Sequence, residues 1–251
     1  MKISLGNLPT LEEIQKEKAR RRLIDFTTFT KPDYEVNWHH RNIANVLDRM
    51  VSRELKRVML FTPPRHGKSE LVSRRFPAFI LGKDPNSSLA SRMNRDVQRI
   101  IDSPKYQELF PNTKLIGTHE NPIGNYLRNS TMFEIVNYEG SYVSAGIGGG
   151  ITGRGADFVI IDDPIKNRKD AESKTHRDAV FDWFTSTVYT RLEKDACILI
   201  TLTRWHEDDL AGRLLKLAEE DPNADQWYVI SYPAIFNANA KYIDSTDPRE
   251  H

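Results

Sequence analysis

Two stretches of this chain carry side chains whose types and order could do phosphoryl chemistry. The first is Thr62-Pro63-Pro64-Arg65-His66-Gly67-Lys68-Ser69. A Gly-Lys-Ser run opening a helix lets backbone N–H groups and the helix N-terminus face phosphate oxygens. Lys68 is placed to reach the β and γ phosphates of a nucleoside triphosphate, and the Ser69 hydroxyl to bind Mg²⁺. The usual pattern begins with a glycine five residues before the Gly-Lys pair; here that position is Thr62, and two prolines stiffen the turn. The second stretch, Phe158 to Asp163 (FVIIDD), is an apolar run ending in two carboxylates. Asp162 would hold Mg²⁺ through its water shell, and Asp163 would orient or activate an attacking water. An aspartate is one methylene shorter than the glutamate many such ATPases use as base.

These residues act together only if particular elements carry them. Arg57 to Phe61 suits a buried strand leading into the loop, and a helix is expected from Ser69 to Leu81, stopped by Gly82-Lys83-Asp84-Pro85-Asn86. The four apolar residues of FVIIDD suit a central strand with its carboxylates at the C-terminal edge, where α/β sheets bind ligands. Ala196 to Leu202 reads as another buried strand, and alternation places Thr201 and Thr203 on one face, where either could sense the γ-phosphate or the catalytic water. The chain from Leu89 to Ile101 reads as helix. Asn86 to Ser88 holds no apolar run for a strand returning to a parallel sheet, so either a direct helix–helix connection or a missing segment is expected there.

Composition sets the outer bounds. With 251 residues and 39% apolar content, the chain can bury the core of one α/β domain or at most two small ones. A net charge of +1 confines any nucleic-acid surface to a local patch. The single cysteine, Cys197 in ACILI, excludes a disulfide framework and reads as a small buried hydrophobe, in keeping with a reducing cytosol. No apolar run is long enough to span a membrane and no apolar signal core opens the chain, so a soluble protein without membrane partners is expected.

Other features are of lesser weight. Leu11 to Arg22 is a charged amphipathic helix with i,i+4 spacings between Glu12/Glu13 and Lys16/Lys18; Arg20-Arg21-Arg22 reads as a solvated face or as a patch touching DNA. Trp38, His39 and His40 precede a second helix. The two histidines lack further ligands at metal spacing, and packing near a nucleotide base or capping the helix is expected of them. Tyr126 to Arg128, Met132 to Val136 and Ser141 to Ala145 suggest short antiparallel strands. Gly146 to Gly155 holds six glycines in ten residues, a mobile loop or one passing close to a ligand, and Arg154 inside it reads as functional. Phe181, Trp183 and Phe184 read as core packing. His206 to Asp209 resembles a metal cluster, but Asp208 or Asp209 capping the helix LAGRLLKLAEE is the better reading. Trp227 to Tyr232 suits a last strand.

PPRHGKS, GRGADFVIIDDPIK and LTRWHEDDLAGRL, in that order, resemble the large terminase subunit of tailed bacteriophages, the ATPase that drives DNA into a preformed capsid; the likeness runs from Trp38 to Pro233. It implies an α/β P-loop fold of the ASCE type, a mostly parallel sheet with helices on both sides and a small antiparallel appendage. Residues 1–36 would form a helical arm, 37–236 the ATPase domain and 237–251 a linker. Pro64, Arg65, His66, Gly67, Lys68 and Ser69 would bind ATP, with Arg65 as the family's loop arginine. Ser69 and Asp162 would hold Mg²⁺, Thr203 would belong to the coupling motif, and Arg154 would be an arginine finger reaching a neighbour's ATP. Implied partners are double-stranded DNA, the portal protein, the small terminase subunit and other copies, pentameric on the portal and monomeric alone. The place of action would be the host cytoplasm and, transiently, the procapsid portal vertex, not the mature virion.

The family also carries a C-terminal nuclease for which this chain has no room, so no DNA cutting is expected. Its strand ending in Ser-Tyr, ahead of the helix read here from Leu89, has no counterpart at Ser87-Ser88. The rivals are a helicase-like or remodelling DNA ATPase, and an assembly module that binds nucleotide without hydrolysing it.

Overall fold

The computed structural model describes residues 9–117, 126–144, 146–148 and 155–233. Helices α1 (Leu11–Arg21), α2 (Leu23–Thr30) and α3 (Trp38–Val51) precede strand β1 (Arg57–Phe61). After the loop, a wide π-type turn over Glu70–Arg75 runs into α4 (Phe76–Lys83). Then follow β2 (Ser88–Ser91), α5 (Asn94–Ile101), α6 (Pro104–Leu109), β3 (Met132–Glu134), β4 (Ser141–Ser144) and β5 (Ala156–Asp162). The last described elements are α7 (Arg168–Glu172), α8 (Lys174–Trp183), β6 (Leu192–Leu202), α9 (Leu210–Glu220) and β7 (Tyr228–Ser231).

The strands form one sheet in the order β3-β4-β2-β5-β6-β1-β7. All neighbours are parallel except β3, which runs antiparallel to β4 at one edge. The expected appendage is therefore smaller than its sequence suggested: β4 joins the main sheet through β2, and only β3, with a bridge from Arg128 to Phe133, is antiparallel.

Period-two alternation divides the core. Val58 and Leu60, Phe158 and Ile160, and Cys197 and Leu199 pack on one face with Phe26, Leu47, Phe76 and Phe79. Met59 and Phe61, Val159 and Ile161, and Ile198, Ile200 and Leu202 pack on the other with Trp183, Phe184 and Leu210. Continuous apolar runs fit strands buried on both faces. Aromatic Trp183 and Phe184 are core residues, as their stripe suggested.

One sequence expectation is overturned here. Ser88 to Ser91 is a strand between β4 and β5, so the parallel sheet has its returning strand and no helix–helix connection occurs. Only Leu89 and Ala90 are apolar, and they face opposite sides of the sheet, Leu89 toward the first core and Ala90 toward the second. Two residues give too short a period to read alone, and Leu and Ala favour helix. The flanking strands decide the outcome, aided by the Ser88 N–H donating to Asp157 Oδ2 at 2.8 Å.

The first helices are integral to the first core, which buries Leu23 and Phe26. Thr10 and Glu13 form a reciprocal capping box on α1, and Lys16 pairs with Glu12 at 2.7 Å. The arginines that follow are engaged within the protein. Arg20 donates to the Leu109 carbonyl, Arg21 pairs with Glu17 and Arg22 with Asp48. No helix among the described residues is long and apolar enough to cross a membrane.

Candidate functional site

Three strands of the first face exchange apolar for polar side chains at their C-terminal ends. Leu60 is followed two residues on by Thr62, Ile160 by Asp162, and Leu199 by Thr201 and Thr203. Because β6 lies between β1 and β5, with Thr201 opposite both Leu60 and Asp162, these ends converge. Strand periodicity thus delivers the polar residues to one point.

The loop after β1 turns through two residues of positive φ, Arg65 (66°) and Gly67 (72°). Arg65 and His66 are exposed. The N–H of Asn37 donates to His40 Nδ1 at 3.0 Å, which fixes the His40 proton on Nε2. That Nε2–H then donates to the His66 carbonyl at 2.9 Å. His40 thus caps its helix, as one sequence reading had it, and also ties down the loop after β1. Burial holds the neighbouring His39 below the usual imidazole range. His66 Nδ1–H donates to the Pro64 carbonyl at 2.9 Å and tightens the same turn.

A Cβ added at Gly67 would stand 2.6 Å from His40 Nε2. Gly67→Ala should therefore displace the imidazole as well as strain the backbone, at about 1–2 kcal/mol for a left-handed alanine. The expected result is a melting point lowered by a few degrees and nucleotide affinity reduced at least about tenfold, as a strained, untied loop no longer presents its N–H groups. Calorimetry and titration with a fluorescent nucleotide would read the two effects; wild-type affinity would show that the loop tolerates the side chain.

Lys68 is almost fully buried, and its Nζ lies 2.9 Å from Asp163 Oδ1 and 3.5 Å from Asp162 Oδ1. The loop and the acidic pair, remote in sequence, are therefore joined by a single ammonium. Asp163 sits at φ 44°, a left-handed conformation uncommon for a residue with a side chain. Its N–H donates to the Thr201 carbonyl at 2.9 Å, and its Oδ1 also accepts from the Thr203 N–H at 3.0 Å. Thr203 Oγ1 donates to the Thr62 carbonyl at 3.2 Å, so this threonine links the loop strand to the carboxylate. Arg92, just beyond β2, donates to the Asp162 carbonyl at 3.2 Å. Backbone strain persists where the surroundings over-determine it, and this turn is held from four directions.

The residues present fit a hydrated divalent ion and a polyphosphate. Thr62 Oγ1, Asp162 Oδ1 and Thr201 Oγ1 are buried without a hydrogen-bond partner. Buried polar atoms are usually paired; these are three of nine buried side-chain atoms without a hydrogen-bond partner among the described residues, and they share the converging strand ends. Among the described residues no cluster of three His, Cys, Asp or Glu could bind a metal alone. Mg²⁺ suits such a site, because it usually keeps its waters and takes one or two carboxylates together with substrate phosphates.

The family model for the N-terminal region of the terminase large subunit, T4-like virus type, matches residues 59–249, more than half of the chain. The chain belongs to this family. A comparison with curated proteins gave no match. Terminase membership implies a role in viral DNA packaging, and the matched span contains Lys68, Ser69, Asp162, Asp163 and Thr203. His40, which ties the loop, precedes it.

Of the sequence-predicted residues, Gly67, Lys68, Asp162, Asp163 and Thr203 come together, and Ser69 opens the turn that follows. No hydrogen bond or ion pair engages the Arg65 guanidinium among the described residues. Arg154 lies outside the described residues. Asp209 caps α9 by accepting from the Gly212 N–H at 2.9 Å, whereas Asp208 accepts from Arg213 and Arg177, which hold it far below the usual carboxylate range. Sequence reasoning missed Ser73 and Arg92. Neither had a signal: Ser73 stands among charged and apolar residues between Glu70 and Arg75, and the Arg92 segment read as helix.

Proposed function

We propose that this chain is the ATPase motor domain of a terminase, hydrolysing ATP with Mg²⁺ to move double-stranded DNA into a procapsid. The single observation that carries the reading is the ammonium of Lys68 within 2.9 Å of Asp163 and 3.5 Å of Asp162. The place of β6 between the loop strand and the acidic strand supports the ASCE type of P-loop fold.

Each side chain has a role in this reading. Lys68 neutralises charge on the β and γ phosphates, for which it exchanges its present carboxylate partners. Ser69 and Asp162 hold Mg²⁺, which supplies charge neutralisation to the phosphate oxygens. Asp163, partly exposed beside Lys68, takes a proton from the attacking water. Thr203, bound to Asp163 through its N–H and to the loop through its hydroxyl, reports the state of the site to the segment leading to α9. Pro64, Arg65 and His66 border the phosphates.

Copies of the chain would act as a ring on the portal, with the small terminase subunit, in the host cytoplasm. Arg154 would complete a neighbour's site, and an arginine supplied in this way is worth about 10³ to 10⁵ in rate. Phosphate release should therefore be weak for dilute protein and rise faster than linearly with concentration, more so with double-stranded DNA. Arg154→Ala should retain ATP binding and lose that rise. Concentration-independent specific activity would remove the ring from the reading, and no phosphate release under any condition would remove hydrolysis.

A further inference from the structure

Asp162 is gripped unequally. Its Oδ2 accepts a hydrogen bond of 2.6 Å from the Ser73 hydroxyl, while its Oδ1 has no hydrogen-bond partner and lies 3.5 Å from Lys68 Nζ. Ser73 and Asp162 are both buried, at 0% and 5% exposure, so water does not compete for this bond. A length of 2.6 Å is that of a charge-assisted O–H···O⁻ bond, stronger than a bond between neutral groups. The hydroxyl has one proton and spends it here. A carboxylate rotates about its bond to Cβ, and fixing one oxygen fixes the other.

We infer that Ser73 is a positioning residue for the metal: by holding Oδ2 it turns the single free oxygen of Asp162, Oδ1, toward the ion. The inference rests on the nucleotide reading above and names a residue outside the Gly-Lys-Ser run. Ser73 stands on the wide turn Glu70–Arg75, directly after the loop, so the segment that starts with Ser69 also orients the second Mg²⁺-binding group. Arg92 holds the main chain of the same aspartate through its carbonyl, while Ser73 makes the 2.6 Å side-chain hydrogen bond and Lys68 stands 3.5 Å from the other oxygen. Partners that orient a ligand in this way typically account for about 10- to 100-fold in metal affinity.

The test separates metal from nucleotide. Binding of a fluorescent nonhydrolysable ATP analogue to the full chain is titrated against Mg²⁺ and, separately, measured in EDTA. Ser73→Ala should raise the Mg²⁺ concentration for half-maximal binding about tenfold or more and leave affinity in EDTA unchanged. Ser73→Cys, which keeps a weak S–H donor at similar size, should fall between Ala and wild type, and it carries the test if the alanine variant does not fold. An unchanged Mg²⁺ requirement, or equal losses with and without the ion, would overturn the inference and leave Ser73 a packing residue. Failure of the wild-type chain to bind the analogue at all would instead overturn the nucleotide reading and this inference with it.

Discussion

Replacing Lys68 with alanine should cut phosphate release by about 10² to 10³, the usual cost of losing one preorganised charge at a reacting group. The same substitution should also destabilise the protein without nucleotide. Asp162 is buried, and Lys68 is the cation beside it. Removing one member of a buried pair typically costs about 3–5 kcal/mol, because the remaining charge stays desolvated. Asp163, more exposed, suffers less. A melting curve in buffer free of Mg²⁺ and nucleotide checks the second effect, and it should show a large drop. Retained turnover would overturn the phosphate assignment; lost turnover with an unchanged melting point would show that the acidic pair does not depend on the ammonium.

Asp163→Asn should behave differently. Asparagine is nearly isosteric, tolerates positive φ, and its Oδ1 can still accept from the Thr203 N–H. The fold and the binding of Mg·ATP should survive, while turnover falls by about 10² to 10⁴, the range for loss of a general base. Single-turnover phosphate release, measured beside nucleotide affinity, distinguishes a chemical defect from a binding one. Wild-type rates would assign the proton transfer to another group, and a parallel loss of affinity would make Asp163 a binding residue.

Much of this site is legible in the sequence because its key residues sit where regular patterns end. Glycine before lysine, and an apolar run closing in two aspartates, each announce an element boundary as well as a chemistry. The sheet order is harder to read. Nothing local to Leu192–Leu202 says that it lies between β1 and β5, although that place makes Thr203 a neighbour of Asp163. Strand β2 escaped for the opposite reason, since four residues with two apolar side chains are strand only by virtue of their neighbours. Ser73 and His40 act through single hydrogen bonds across the fold, and a bond to a residue far along the chain leaves no periodicity to detect.

The network around Asp208 has a mechanical meaning. Arg213 on α9 reaches both Asp208 and Asp178, the latter on α8, and Arg177, also on α8, shares Asp208 Oδ2 with it. The short run between Thr203 and α9 is thus riveted to two helices instead of hanging as slack cord. In the proposed motor, a displacement begun at the carboxylate end would reach both helices as a block, so the force of one chemical event would leave along a stiff lever.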